Sequence, residues 1–168
     1  FSSLQRYNLS RYISVTADVS DPFFIGDVKG SGLEIPAYVS GHQVVEHTGY
    51  TLSYNEQYEV ADWVAYEFTN EELNLSVASR KDNFRADPAI TTGSAVLADY
   101  KGSGYSRGHL APAADFNWSE EAMSDTFFLS NMTPQLQNNF NAGIWLKAED
   151  YVREVCAQND VVYVVTGP

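Results

Sequence analysis

His109 is the histidine of this chain whose neighbours could put it to chemical use. It comes after Tyr105-Ser106-Arg107-Gly108 and precedes Leu110-Ala111-Pro112-Ala113-Ala114-Asp115. A glycine directly before the imidazole lets the backbone come close to a ligand. An arginine two residues earlier offers a fixed positive fork that suits a phosphate oxygen. With an ordinary pKa near ~6.5, an imidazole can take a proton from water at neutral pH. The other two histidines read as surface residues: His47 stands beside Glu46 in a polar stretch, and His42 is next to Gly41. None of the three shows the paired spacing of a structural zinc site. There is no G-x-S-x-G turn and no Cys–His pairing for a nucleophilic enzyme. Cys156, the one cysteine, excludes an intrachain disulfide and sits at an apolar helical position, where it reads as core. A lone histidine in so short a pattern more often serves structure than catalysis, so the blocks C-terminal to it decide between the two.

A formal net charge of −12 argues against a nucleic-acid partner, because phosphate neutralisation normally supplies much of that affinity. The charge is unevenly spread, however. Arg80, Lys81, Arg85, Lys101 and Arg107 fall between positions 80 and 107, against Asp82, Asp87 and Asp99. A locally basic strip on an acidic protein can hold a phosphate backbone weakly and release it, which suits turnover. Read from charge alone, the same strip is also a solvated polar loop.

The elements that must position these residues can be read in outline. The chain of 168 residues, 44% of them hydrophobic, suits one domain over 1–168 with a substantial core. It has no run of eighteen apolar residues and no basic-then-apolar leader. Residues 20–35 carry Pro22, Gly26, Gly30 and Gly32 and read as loops. Tyr50–Tyr54 alternates as a half-buried strand would, and Asp62–Thr69 is a second strand ended by Asn70. Residues 80–108 form a long polar loop region. Ser119 caps a short helix whose first turn holds Glu120 and Glu121, a placement that explains them without catalysis. Phe127–Leu129 reads as a short apolar strand, and Pro134 breaks the segment after it. From about Asn141 to Asn159 a helix is expected. Ile144, Trp145, Ala148, Val152, Val155 and Cys156 would form its apolar stripe, with Lys147, Asp150, Arg153 and Glu154 facing away. Val161–Thr166 reads as a strand buried on both faces. Only Gly167-Pro168 comes after it, so part of the fold is expected in residues beyond 168.

Tyr105–Pro112 resembles the D-R-G-H signature of the DNA/RNA non-specific endonuclease family, an endonuclease G-like group of the ββα-metal (His-Me finger) superfamily. Two further blocks stand at matching distance, Leu129–Gln135 and Phe140–Trp145, with Glu149 four residues beyond the tryptophan. Upstream, Tyr50–Tyr54, Trp63–Tyr66 and Asn83–Pro88 resemble bacterial members, so the likeness spans roughly 45–168 and leaves 1–44 unassigned. The resemblance implies a hairpin bearing the histidine and a helix bearing a metal ligand. It makes His109 the general base and Asn141 the ligand of one Mg²⁺, with Mn²⁺ or another divalent cation as a substitute. Asn138 and Asn139 are nearby alternatives, and the block Asn-x-Gly-x-Trp selects 141. It makes Glu149 the carboxylate behind a metal-bound water and Arg107 a phosphate contact, with Arg85 or Arg80 beside it. Asn131 matches a second asparagine that supports the catalytic site. The family's Asp is Ser106 here, which removes a negative charge near the site.

These assignments are physically coherent. Asn141 and Glu149 are eight residues apart, about 80° round a helix, so both can look toward one site. Mg²⁺ keeps several waters, so one neutral amide plus substrate oxygens is a workable set. The expected fold is α+β, a mixed or antiparallel sheet with flanking helices. The implied function is hydrolysis of DNA and RNA phosphodiesters without sequence reading, giving 5′-phosphate ends. The alternative is a catalytically impaired nucleic-acid-binding module on the same scaffold. A secreted or periplasmic bacterial location and no membrane partner are expected, and a homodimer is left open.

Overall fold

The computed structural model describes residues 13–16, for the backbone alone, together with 35–36 and 41–168. The loops expected over 20–34 lie outside the described residues. Among the described residues seven strands form two sheets. The larger is antiparallel throughout, in the order β1 (Ile13–Thr16), β7 (Val161–Thr166), β4 (Val60–Thr69), β3 (Tyr50–Asn55), β2 (Gln43–His47). The smaller pairs β5 (Ser106–His109) with β6 (Met132–Gln135), His109 standing opposite Met132.

β2 and β3 join through Thr48-Gly49, where Gly49 takes φ +93°. A Cβ there would stand 2.9 Å from both Phe116 and Trp118, so this turn is closed to larger residues. The helix α1 (Asn70–Asn74) starts where Asn70 was expected only to end a strand. Its start is a capping box: Thr69 Oγ1 accepts from Glu72 N at 3.2 Å, and Glu72 Oε2 accepts from Thr69 N at 3.0 Å. A one-turn helix α2 (Leu97–Tyr100) interrupts the long polar segment. Ser119 caps α3 (Glu120–Asp125) as expected, accepting from Ala122 N.

The main core lies between one face of the large sheet and the segment carrying β5 and the last helix, α4 (Leu146–Cys156). Leu52, Val64, Tyr66, Phe68, Val162 and Val164 meet Leu110, Trp145, Val152 and Cys156 there, all buried. Cys156 is therefore a core residue, its thiol turned to the Phe68 carbonyl. Among the described residues no helix is long and apolar enough to cross a membrane.

Several expectations change. Phe127–Leu129 is not a strand: Phe128 makes one isolated bridge with Arg85, and Leu129–Asn131 is a 3₁₀ turn. The strand is instead Met132–Gln135 and contains Pro134, which a two-stranded ribbon tolerates because one edge of each strand is unpaired. β3 is buried on both faces rather than half-buried. The helix expected from Asn141 begins as a π-helical segment, Gln137–Trp145, with Asn138, Asn139 and Ala142 off helical dihedrals, and becomes α-helical at Leu146. His47 is not a surface residue, because its side chain is 7% exposed and meets Asp87 Oδ2 at 2.8 Å. His42 is half-buried and pairs with Asp62.

Candidate active site

His109 ends β5 at the wall of a cleft of about 820 Å³. Four hydrogen bonds fix the backbone leaving it. Trp145 Nε1 donates to the His109 carbonyl at 3.0 Å, and Thr166 Oγ1, at the end of the central strand, donates to the Leu110 carbonyl at 2.8 Å. Asn131 Oδ1 accepts from Ala111 N at 2.9 Å, and its Nδ2 donates to the Ala111 carbonyl at 3.0 Å and the Thr126 carbonyl at 2.8 Å. Asn131 is thus fully buried and its amide is committed to backbone. It does not line the cleft; its hydrogen bonds hold the chain that follows His109.

The His109 ring is held by aromatic edges, its centroid 5.1 Å from Phe127 and 5.8 Å from Phe84. Its Nε2 is buried with no hydrogen-bond partner among the described residues. Burial, reinforced by the charges of Arg80 and Arg107, pulls the imidazole pKa down to about 3. The free ring is therefore neutral throughout the physiological range.

Cations gather opposite it. Arg107 stacks on Phe84, Cζ 3.9 Å from the ring centroid, and Arg80 lies over Phe127 at 5.0 Å. Both line the cleft, as do Lys101 and Arg153. Arg85 does not. Its guanidinium covers Phe128 at 3.8 Å and donates to the Ser124 carbonyl at 2.8 Å, so it holds the loop to α3 and is not among the residues lining the cleft. Sequence spacing could not separate it from Arg80, since both lie in one polar stretch.

Asn141, Ala142, Leu146 and Glu149 form the helical side of the cleft. Among the described residues neither the Asn141 amide nor the Glu149 carboxylate has a hydrogen-bond or ion-pair partner. Burial pushes Glu149 up to about 7, helped by the nearby charge of Asp115 and opposed by Arg153. Asn138 and Asn139, at the non-helical start of the segment, are exposed and do not line the cleft.

Arg153 was expected to face away, yet it turns inward. Its Nη1 donates to Asp115 Oδ1 and its Nη2 to Asp150 Oδ1, each at 2.7 Å, while Tyr66 donates its hydroxyl to Asp115 Oδ2 at 2.8 Å. Asp115 is buried, and burial raises its pKa to about 6 against the pull of Arg153. The available signal was the i,i+4 spacing from Glu149 to Arg153, which puts both on one helical face.

Gly108 has a different job from the expected one. A Cβ there would overlap the Gln135 side chain, so the glycine makes room for a residue of the paired strand and not for a ligand. Ser106 donates its hydroxyl to Gln137 Oε1, tying β5 to the π-helical segment.

The DNA/RNA non-specific endonuclease family matches residues 30–168, most of the chain. The chain belongs to that family. It is 44% identical over 128 residues to a nuclease of Syncephalastrum racemosum, covering 74% of this chain and 40% of that protein. It is 39% identical over 127 residues to the mitochondrial endonuclease G of Homo sapiens, covering 75% and 42%. A chain from the crystal structure of the EndoG/EndoGI complex superposes with a TM-score of 0.71 at 36% identity, covering 74% of this chain and 52% of that one. The chain thus spans about two-fifths of the length of these two relatives. The family's ββα arrangement is recognisable in β5, β6 and the helix after them, although 22 residues (110–131) separate the two strands.

The donor set can be tested against a divalent cation. Among the described residues no group of three or more His, Cys, Asp or Glu is placed to hold a metal, which disfavours a closed zinc-type site. One amide and one carboxylate without partners in an open cleft suit a hard ion that keeps most of its water. The residues fit such an ion.

Proposed function

We propose that this chain hydrolyses phosphodiester bonds of DNA and RNA without reading sequence, through His109 as general base. The observation that carries the reading is a neutral, buried imidazole facing a cleft that also holds cations and the partnerless Asn141 and Glu149. Asn141 would hold the metal, Mg²⁺ first, with Glu149 positioning its water. When bound, the ion supplies Lewis-acid stabilisation of charge on the phosphate and on the departing 3′ oxygen.

The residues of the chain supply the rest. Arg80 and Arg107 take nonbridging phosphate oxygens, which is sequence-independent recognition. In the free protein their charges help to hold His109 neutral. An arriving phosphate offsets those charges and adds a negative one, both of which raise the basicity of the imidazole when substrate is present. His109 removes a proton from water as its oxygen bonds to phosphorus. The P–O3′ bond breaks, the 3′ oxygen leaves and is protonated, and the 5′ side keeps the phosphate.

The decisive experiment is degradation of plasmid DNA and of RNA by the purified protein with Mg²⁺, with EDTA, and with His109→Ala. Metal-dependent cleavage lost in the variant supports the reading. Cleavage that persists in His109→Ala removes the proposed base. Binding without cleavage by the metal-loaded wild type would make the chain a binding module, with Ser106 as the first residue to restore to Asp.

A further inference from the structure

The cleft does not end at its cationic wall. Tyr100 and Tyr105 line it on one side, and the same two residues line a second pocket of about 540 Å³ on the other. That pocket has a different character. Its lining is aromatic, with Tyr58, Tyr100 and Tyr105, and Ala95 and Pro134 add apolar surface. Its charged groups are carboxylates, Glu59 and Asp99, with no lysine or arginine among its lining residues. Phosphate is repelled there and attracted next door. Flat rings stack on tyrosine, and carboxylates accept hydrogen bonds from the exocyclic amino groups of bases.

From this division of chemistry between adjoining pockets we infer that the second pocket is a nucleobase subsite, which takes a base of a single strand whose phosphate lies in the cleft. The inference rests on the nuclease reading and deepens it by naming the form of substrate held best. In a duplex the bases are stacked on one another, so their faces cannot lie on the tyrosines of the pocket.

Two local features support it. Tyr58 is 67% exposed and Tyr105 50% exposed, so both rings are accessible to a stacking base. Glu59 takes φ +54°, a left-handed conformation uncommon for glutamate, in the tight connection between β3 and β4. That conformation sets Glu59 at the pocket, where its Oε2 also accepts from the Tyr54 hydroxyl at 3.3 Å. Tyr100 stands between the two environments. Burial pushes its phenol up to about 12, Asp99 adds to the rise and Arg107 opposes it, so it stays a hydrogen-bond donor at the boundary.

The test is binding in EDTA of a labelled single-stranded oligo-dC and of an abasic oligomer of equal length, read by fluorescence anisotropy. The wild type should hold oligo-dC roughly tenfold more tightly, the scale of one stacked base. The Tyr58→Ala/Tyr105→Ala double variant should bind both at the abasic affinity, and a thermal midpoint matching the wild type shows that it is folded. Equal binding of both oligomers by the wild type overturns the subsite alone, and so does a double variant that keeps the tenfold preference. Binding of neither oligomer by the wild type overturns the subsite, while the nuclease reading stands or falls separately on Mg²⁺-dependent cleavage of plasmid DNA and RNA.

Discussion

The indole N–H of Trp145 meets the carbonyl of His109 at 3.0 Å, in a buried contact between the end of the π-helical segment and the end of β5. The helix and the strand that carry the two halves of the proposed site are joined at that point. Asn141 lies one turn before the tryptophan and Glu149 one turn after it. A shift of the indole therefore moves the metal side of the cleft against the base.

Trp145→Phe tests that bond. It keeps the aromatic packing but leaves a buried carbonyl without its donor, which costs about 1–3 kcal/mol. Urea denaturation should show the loss. Cleavage kinetics should show a lower kcat with KM little changed, because substrate phosphates are held by other elements. An unchanged kcat in a destabilised variant would show that the bond serves folding alone.

Glu149 sets the expected pH dependence. Burial lifts its carboxyl to about 7, while His109 is held down at about 3. In the proposed role, only the ionised Glu149 carboxylate would serve a bound cation, so activity should rise with pH through about 7 at low Mg²⁺. In the free protein His109 is already neutral there, so it adds no limb to kcat/KM in this range. Because the cation favours the ionised form, saturating Mg²⁺ should move this limb to lower pH and release protons at pH 7, measurable with a weakly buffered indicator.

The same shift has a stability cost of opposite sign. Between the ordinary carboxyl value of 4.5 and about 7 the folded protein binds the extra proton, so this group's contribution to stability falls as pH rises. Glu149→Gln should therefore be more stable than the wild type at pH 8, by on the order of 1–2 kcal/mol after screening, while losing activity. Thermal midpoints at pH 5 and pH 8 give the comparison, and a gain that is the same at both pH values would refute the assignment.

Arg80, Arg107 and Arg85, the three arginines expected from sequence as phosphate contacts, should separate by function. Arg80 and Arg107 line the cleft, whereas Arg85 covers Phe128 and bonds the Ser124 carbonyl. Arg80→Ala or Arg107→Ala should lower kcat/KM on the order of tenfold to hundredfold and reduce the salt dependence of binding. Arg85→Ala should cost about 1–2 kcal/mol of stability and leave kcat/KM within roughly twofold.

Residues whose role is written in nearby sequence were legible. The block around His109, the Asn-x-Gly-x-Trp segment and the Ser119 cap depend on neighbours a few positions away. Of the large sheet, β3, β4 and β7 were legible from their β-branched and aromatic runs, whereas β1 and β2 were not read as strands. The misread residues depend on distant partners. Phe127–Leu129 looks like a strand because it is apolar, but its backbone is engaged by Arg85, and no ladder is available to it. Asn131 is identified by its block, yet its work on the backbone of Ala111 emerges only when the two strands pair. Arg153 looked solvent-facing because its partner Asp115 is 38 residues away and itself buried.

His47 is the residue whose misreading has the largest consequence for stability. Its Nε2 meets Asp87 Oδ2 at 2.8 Å, Ser130 donates to the same oxygen, and the ring packs on Tyr50 and Phe128 with centroids 5.0 and 4.9 Å away. Burial raises the Asp87 carboxyl, but hydrogen bonds from His47, Ser130 and Ala89 outweigh it and hold the pKa below its ordinary value. A depressed carboxyl adds stability above the unfolded pKa and loses it as pH falls through the folded one. His109, whose folded pKa of about 3 lies below its ordinary 6.5, loses stability in the same direction as pH falls from 6.5 to about 3. The fold should therefore weaken on acidification. His47→Ala leaves Asp87 buried without its ring partner and should cost about 3 kcal/mol at pH 7. Asp87→Asn should reduce the steepness of the acid limb in a plot of unfolding free energy against pH. His47→Ala should leave KM for a single-stranded substrate unchanged below the melting range, because His47 lies outside the cleft. A shifted KM with an unchanged melting point would assign His47 to substrate binding instead.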